Sequence, residues 1–463
     1  MAGRARTLPG PGPLRPFRFP AFLRRRLPNG LTVLAARHAG VPLASLELVA
    51  PAGGQHDPPG RAGLATLTAS LLDEGTGGRS SMEIAAGVER LGGYLSTGAD
   101  WDVGYLATGM LSQHWRAGLR LLAEVIEHPT FPAAEVERLR SQRLAEILRR
   151  EADPSALADD ALMALIYRGT VYARSLLGDP ESVGGLTRAE IAAFYQRTYT
   201  IAGTSLVAVG DLDPEEAAAA AEEALAAALA TPPPSPPEIR PQRLAERTIL
   251  IVDRPGAAQT ELRLGHPSVS RQHPDFVPLT VMNTLLGGKF TSRINLNLRE
   301  RHGFTYGAST RFVGRIGPGP FLAGAAIATE STGAAVREVL AELERIRADL
   351  VEVDELEDTR SYLTGVFPYT LQTIGDLAKR LETLAIYDLP DDYFDDYVAH
   401  LGTVSREEVL EISRRHLDPE HIGIVAVGPA ELLEPQLEGL GLVQVSGQTS
   451  GSLAGRAPAT VDA

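Results

Sequence analysis

Two side chains with usable chemistry stand seven residues apart in the second half of the chain. They are Arg299 and Tyr306, within Leu298-Arg299-Glu300-Arg301-His302-Gly303-Phe304-Thr305-Tyr306-Gly307. Arginine offers a fixed fork of donors for carbonyls or carboxylates, and a tyrosine hydroxyl can donate to the oxyanion that forms as water attacks an amide. Gly303 reads as a helix end, and Tyr306-Gly307 as the start of a strand beside which an extended peptide could pair. That spacing alone is commonplace; most such residues are a surface charge and a boundary aromatic. In the first half, Thr66, Ala69 and Ser70 fall at i, i+3 and i+4 and share one helix face. Two neutral hydroxyls donate weakly to a metal, and Ala69 has no group to accept a proton. A predicted helix from Val136 to Arg150 carries Glu146. One carboxylate is not a catalytic zinc site, which takes three protein ligands and an open position.

Other chemistries find little support. The chain has no cysteine, which excludes thiolate sites and disulfides. None of its ten histidines lies four residues from another, and nothing in the spacing of His38, His56, His114 and His302 suggests an assembled metal site. Gly287-Gly288-Lys289 is not a phosphate-binding loop, because residue 283 is Asn and Phe290 stands where Ser or Thr is needed. A Gly-x-Ser-x-Gly elbow is also missing, so an enzyme with a relocated metal or a metal-free mechanism is the weakest reading.

A net charge of −14 argues against nucleic acid as a partner and is compatible with a cavity that attracts cationic peptides. No apolar run is long enough to span a bilayer, and a cytoplasmic location is expected. Eight arginines precede the first acidic residue, Glu47, among prolines 9, 11, 13, 16 and 20. The segment lacks an apolar stretch and reads as a flexible basic arm rather than a secretory signal. Only two lysines occur, Lys289 and Lys379, against abundant Arg, Ala, Gly and Pro, a bias that resembles coding in a GC-rich bacterium.

The elements that must position these residues repeat. Thr187-Arg188-Ala189-Glu190-Ile191 matches Ser405-Arg406-Glu407-Glu408-Val409, and Val207-Ala208-Val209-Gly210 matches Val425-Ala426-Val427-Gly428, both at a shift of 218. Each pair reads as a helix opened by a Ser/Thr cap with a carboxylate three residues on, then a short buried strand ending at Gly. Two matches at one offset indicate a duplicated unit. The proline-rich stretch Ala230 to Glu238 reads as a semi-rigid linker between the copies. Leu31 to Leu34 after Pro28-Asn29-Gly30 predicts an edge strand of a hairpin, and Leu46 to Ala50 alternates as a strand. Glu215 to Ala230 predicts a helix behind Pro214. Val336 to Leu350 predicts an amphipathic helix, and Val445 to Ala463 is low in large apolar residues. The fold class is therefore α+β, duplicated.

Pro58 to Thr76 resembles the metal helix of the pitrilysin (insulinase) peptidases, the inverzincins, which carry His-x-x-Glu-His where this chain has Thr66-Leu67-Thr68-Ala69-Ser70. Glu146 matches that family's remaining glutamate ligand. The run Gly287-Gly288-Lys289-Phe290-Thr291-Ser292-Arg293, followed by Leu298-Arg299-Glu300, is similar to the family's second motif, as are Leu27 to Leu31 and Gly210 to Pro214 elsewhere. The resemblance covers roughly residues 20 to 440 and implies two homologous domains, each a mainly antiparallel sheet with helices on one face, together half of a clam shell. It implies a basic arm at 1–20, an N-terminal domain at 21–230 with a degenerate zinc site, a linker at 231–245, a C-terminal domain at 246–442 and a flexible tail at 443–463. It also implies no metal in this chain, and a homologous zinc-bearing subunit as partner in a heterodimeric metallopeptidase. There Arg299 and Tyr306 would hold a peptide substrate in trans, and the chain alone would be inactive. The alternative is a structural or peptide-binding core-type subunit with no part in proteolysis.

Overall fold

The computed structural model describes residues 17–226 and 231–447. The arm before Phe17, the last residues of the helix expected to reach Ala230, and the tail after Gly447 lie outside the described residues.

Among the described residues twelve strands form two six-stranded sheets. The first contains β1 (Leu23–Arg26), β2 (Thr32–Arg37), β3 (Leu43–Ala50), β4 (Tyr94–Ala99), β5 (Gly104–Leu111) and β6 (Ser205–Gly210), in the order β1-β2-β6-β3-β5-β4. The second contains β7 (Thr248–Asp253), β8 (Gln259–Pro267), β9 (Ala308–Phe312), β10 (Pro320–Ala328), β11 (Gly423–Gly428) and β12 (Leu442–Ser446), in the order β12-β7-β11-β8-β10-β9. The two orders coincide once β2 is matched with β7 and so on through β6 with β11. β2–β6 and β7–β11 are parallel, and both sheets are antiparallel from there to the β4 or β9 edge. The repeated helices, Arg188–Thr198 and Arg406–His416, both open with a complete capping box.

Each sheet packs its own helices on one face. Val33, Ala35, Leu46, Leu206 and Ala208 point into that core in the first half, and Ile249, Ile251, Ile424 and Ala426 into its counterpart. The intervening residues are buried too, by a helix from the other half. Leu34, Ala36, Val207 and Val209 pack on the helix Ile374–Ile386, whereas Leu250, Val252, Val425 and Val427 pack on the helix Pro154–Ile166. This exchange explains why β6 and β11 read as continuous apolar runs instead of alternating: both faces are covered. Polar clasps hold it. On β8, Arg263 reaches Asp159 (2.6 Å) and Ser155 (2.6 Å) of the incoming helix.

Three local expectations change. The strand expected at Leu31–Leu34 is β2, second from the edge; β1 pairs outside it around a turn at Gly30, whose φ of +91° suits glycine. The helix expected from Glu215 to Ala230 spans Pro214–Ala224, ending at Leu225. The stretch expected to be a tail from 443 begins with β12, which pairs with β7 in parallel and takes the place that β1 holds in the first sheet. Its run Leu442-Val443-Gln444-Val445-Ser446 is short and only half-buried at the sheet edge, and in the sequence it runs straight into the polar residues that follow it.

Candidate functional site

The helix Leu64–Ser70 is buried along almost its whole length. Its start is fixed by Asp57, which accepts from the N–H groups of Gly63 (2.9 Å) and Ala65 (2.8 Å). Burial pushes the Asp57 carboxyl up to about 7, against those backbone donors. Gly63, with φ +87°, lies against Leu177 so closely that a Cβ would meet its carbonyl oxygen at 2.5 Å. The helix therefore enters at an angle only glycine permits.

Thr66 and Ser70 point from this helix toward the helix Ala133–Ala152, and the gap between them is filled by Arg143. Its guanidinium donates to Thr66 Oγ1 (2.6 Å) and Ser70 Oγ (3.4 Å), and its Nε lies 3.3 Å from Glu146 Oε2. Both hydroxyls are otherwise spent on carbonyls: Thr66 faces those of Gly63 and Leu176, and Ser70 donates to that of Thr66. Arg143 is 8% exposed. The three side chains named by the sequence as degenerate ligands, Thr66, Ser70 and Glu146, thus do converge, while the fourth position, Ala69, is fully buried. What they enclose is an organic cation. Zinc does not fit: two ligands are hydroxyls, and the only carboxylate is paired with a fixed positive charge. Arg143 was not singled out from the sequence, although its place three residues before Glu146 puts both on one helix face.

The second half builds its motif more rigidly than the sequence suggested. Thr284–Gly288 and Leu296–Arg301 are π-helical, a geometry frequent at functional sites. A Cβ on Gly287 would strike the backbone nitrogen of Thr310 on β9 at 2.6 Å, so the glycine serves close packing against the sheet edge. Lys289 donates to Thr359 (2.7 Å), and Arg293 pairs through two nitrogens with Glu355 (2.8 and 2.6 Å). Asn295 ties the turn to the strand, donating to Phe290 O (2.7 Å) and accepting from Ala308 N (3.0 Å). Gly303, at φ +67°, closes the helix as expected, and the strand starts at Ala308 rather than at Tyr306.

On this frame Arg299 lies over the Phe290 ring, 4.6 Å from its centre, with Glu300 3.3 Å from its Nε. Tyr306 is 91% exposed and Phe290 63%. Among the described residues the Tyr306 hydroxyl makes no hydrogen bond, and no hydrogen bond or ion pair joins Arg299 and Tyr306 to Thr66, Ser70 or Glu146. Among the described residues His38, His56, His114 and His302 do not assemble into a metal-ligand group either. Burial holds His56 down at about 4, and His302 stacks on Phe304.

Residues 32–180 match the family model for insulinase (peptidase family M16), and residues 185–363, which include Arg299 and Tyr306, match that for the peptidase M16 inactive domain. The chain belongs to the M16 peptidase family. Its M16 relatives include an uncharacterized zinc protease of Mycobacterium tuberculosis, 25% identical over 91% of this chain and 96% of that one. A Helicobacter pylori protein called a non-peptidase homolog is 22% identical over 82% of this chain and 87% of its own. The crystal structure of a peptidase M16 inactive domain from Pseudomonas fluorescens superposes with a TM-score of 0.82 at 28% identity, covering 88% of this chain and 98% of that one. The duplicated α+β architecture is thus the M16 fold. No helix among the described residues is long and apolar enough to cross a membrane.

Proposed function

We propose that this chain is the zinc-free subunit of a heterodimeric M16 metallopeptidase and supplies Arg299 and Tyr306 to an active site completed by a homologous zinc subunit. The observation that carries this reading is that Arg299, held over Phe290 on a frame braced by Arg293 and Asn295, and the exposed Tyr306 have no hydrogen bond or ion pair to Thr66, Ser70 or Glu146 among the described residues. In such an assembly the partner's zinc would activate the water. This chain's residues would do the rest: Arg299, steadied on Phe290, grips a carbonyl or carboxylate of the peptide. Tyr306 donates its hydroxyl to the oxyanion, and the β9 edge lies beside an extended substrate. The first half contributes shape alone, because Arg143 closes its metal position.

The test is peptidase activity of the purified chain, alone and mixed with a homologue from the same source that carries His-x-x-Glu-His. Activity is expected only in the mixture, and Tyr306→Phe or Arg299→Ala should lower it by about 10²–10³, the usual cost of one oxyanion donor. Hydrolysis by the chain alone, or full activity of both variants in the mixture, would overturn the proposal. The second reading, a core-type subunit with no part in proteolysis, draws support from the Helicobacter pylori non-peptidase homolog. A stable but inactive complex with the zinc homologue would favour it.

A further inference from the structure

A different cluster of imidazoles comes together at the start of the helix that leads into Thr284–Gly288. The helix Phe276–Asn283 begins just after His273 and Asp275, and the repeated helix Arg406–His416 ends beside it at Arg415 and His416. Asp275 stands at the cap position of its own helix but does not cap it. Its carboxylate turns instead to the neighbouring helix end. There one oxygen, Oδ2, meets His416 Nε2 at 2.6 Å and an Arg415 nitrogen at 2.7 Å. His273 completes the group: its ring lies edge-on to that of His416, 5.4 Å between centres, and the Asp275 N–H donates to its Nδ1 at 3.1 Å, fixing its orientation. One ligand atom from each of His273, Asp275 and His416 lies within 4.8 Å of the others.

We propose that His273, Asp275 and His416 form a binding site for a divalent first-row metal ion, of the zinc or cobalt class, that staples the start of one helix to the end of the other. Two imidazoles and one carboxylate are the donor set that such ions prefer. Around an ion bonded at about 2.0–2.2 Å, three donors stand roughly 3–3.5 Å apart. His416 and Asp275 are already closer than that, and bringing His273 Nδ1 in from 3.9 Å of Asp275 Oδ2 takes a ring rotation that releases the Asp275 N–H and frees the Nδ1 lone pair for the ion. Ligands must be deprotonated to bind. The 2.6 Å contact between His416 Nε2 and Asp275 Oδ2 holds a proton that the arriving ion must displace. An entry path exists, because Arg415 and His416 line a groove of about 420 Å³ shared with His266, Asp418 and His421. Arg415 is the built-in competitor. It has a second carboxylate within reach, Glu411 one turn back on its own helix, so an arriving ion displaces it from Asp275 without stranding its charge.

The site depends on none of the residues assigned to peptide chemistry. It also means that zinc bound to this chain would not by itself identify the degenerate position around Thr66. The full chain, stripped with a chelator, is titrated with Co²⁺ and followed by visible absorption, with Zn²⁺ as competitor. One equivalent is expected. His273→Ala, a half-exposed residue whose removal leaves the fold intact, and His416→Ala should each weaken binding by more than the roughly 10–100-fold that loss of an outer-shell partner costs. Arg415→Gln should tighten it, and Glu146→Gln should change nothing. Metal should raise the melting temperature of the unaltered chain but not of His273→Ala. No binding, binding indifferent to both histidine substitutions, or binding abolished by Glu146→Gln would overturn the proposal.

Discussion

If Arg143 occupies the metal position, restoring the ligands alone should fail to restore the metal. Thr66→His with Ser70→His, made in a His416→Ala background to silence the other cluster, would recreate two imidazoles opposite Glu146. Zinc bonded to them at about 2.0–2.2 Å would lie within roughly 4 Å of a guanidinium that now touches all three side chains at 2.6–3.4 Å. Two unit charges at that distance repel by about 4 kcal/mol at an effective dielectric of 20, and a dication doubles this to ~8 kcal/mol. A structural zinc site is worth about 10–16 kcal/mol. At the low end of that range the double substitution would keep ~2 kcal/mol, a dissociation constant weaker than about 1 mM. Adding Arg143→Ala should remove the ~8 kcal/mol repulsion and restore the site to ~10 kcal/mol, which places the constant between about 1 µM and 1 nM. Competition of Zn²⁺ against Co²⁺ absorption reads the difference, expected to reach about 10⁵ or more. Micromolar zinc binding by the double variant with Arg143 present would show that the guanidinium yields easily and that the charge argument is wrong.

Three further outcomes are expected. Tyr306→Phe should leave stability within about 0.5 kcal/mol, as an exposed substitution does, so any loss of activity in the two-subunit mixture is chemical; urea unfolding checks it. Arg263→Ala should cost at least about 1.5–3 kcal/mol, the worth of one charged hydrogen bond, since it opens the clasp between β8 and the helix Pro154–Ile166. The third concerns Asp102, 2% exposed, which accepts from Ile316 N–H (3.1 Å) and the Tyr387 hydroxyl (3.3 Å); burial, then the charge of Asp100, pushes it up to about 7. Its folded value lies above its unfolded one, so the native state binds more protons. Stability is then full below about pH 4 and falls as pH rises toward 7. Asp102→Asn should remove that decline, on the order of 4 kcal/mol for a shift of this size, in unfolding curves taken from below about pH 4 to about pH 8.

Much of this was legible in the chain because it is written twice. The shift of 218 gave two strands and two capped helices their places, and the sheets that contain them have the same order. The exchange of helices was not legible, since nothing in Pro154–Ile166 or Ile374–Ile386 says which sheet each will cover; periodicity marks an apolar face but not its partner. Arg299 and Tyr306 were found through their neighbours, Gly287 to Arg293, whose close packing explains the motif. Arg143 was missed because on a helix rich in Arg and Glu it looks like one more i,i+3 surface charge; only the fold shows that it is buried. The histidine cluster was missed for a simpler reason. His273 and His416 belong to the same unit but stand far apart along it, at the start of one helix and the end of another, and sequence spacing carries no information about such a meeting.

Losing a metal ordinarily loosens the elements it joined, since binding energy and folding energy are linked. Here the two helices remain joined by different means. Arg143 links the helix Leu64–Ser70 to the helix Ala133–Ala152 through Thr66 and Ser70, and stays next to Glu146 on its own helix. A guanidinium suits the place: it is planar, keeps its charge, and can serve several acceptors at once. Desolvation lowers the Arg143 pKa, and Glu146 opposes this, so its charge is costly there and Glu146 helps to hold it. The threonine and serine that cannot bind zinc are small enough to admit an arginine and polar enough to accept from it. Imidazoles in their place would bring the ligands back but crowd the guanidinium. The two sets of side chains are therefore alternatives rather than neighbours on a gradual path: a guanidinium and a pair of imidazoles compete for the same gap between the helices Leu64–Ser70 and Ala133–Ala152.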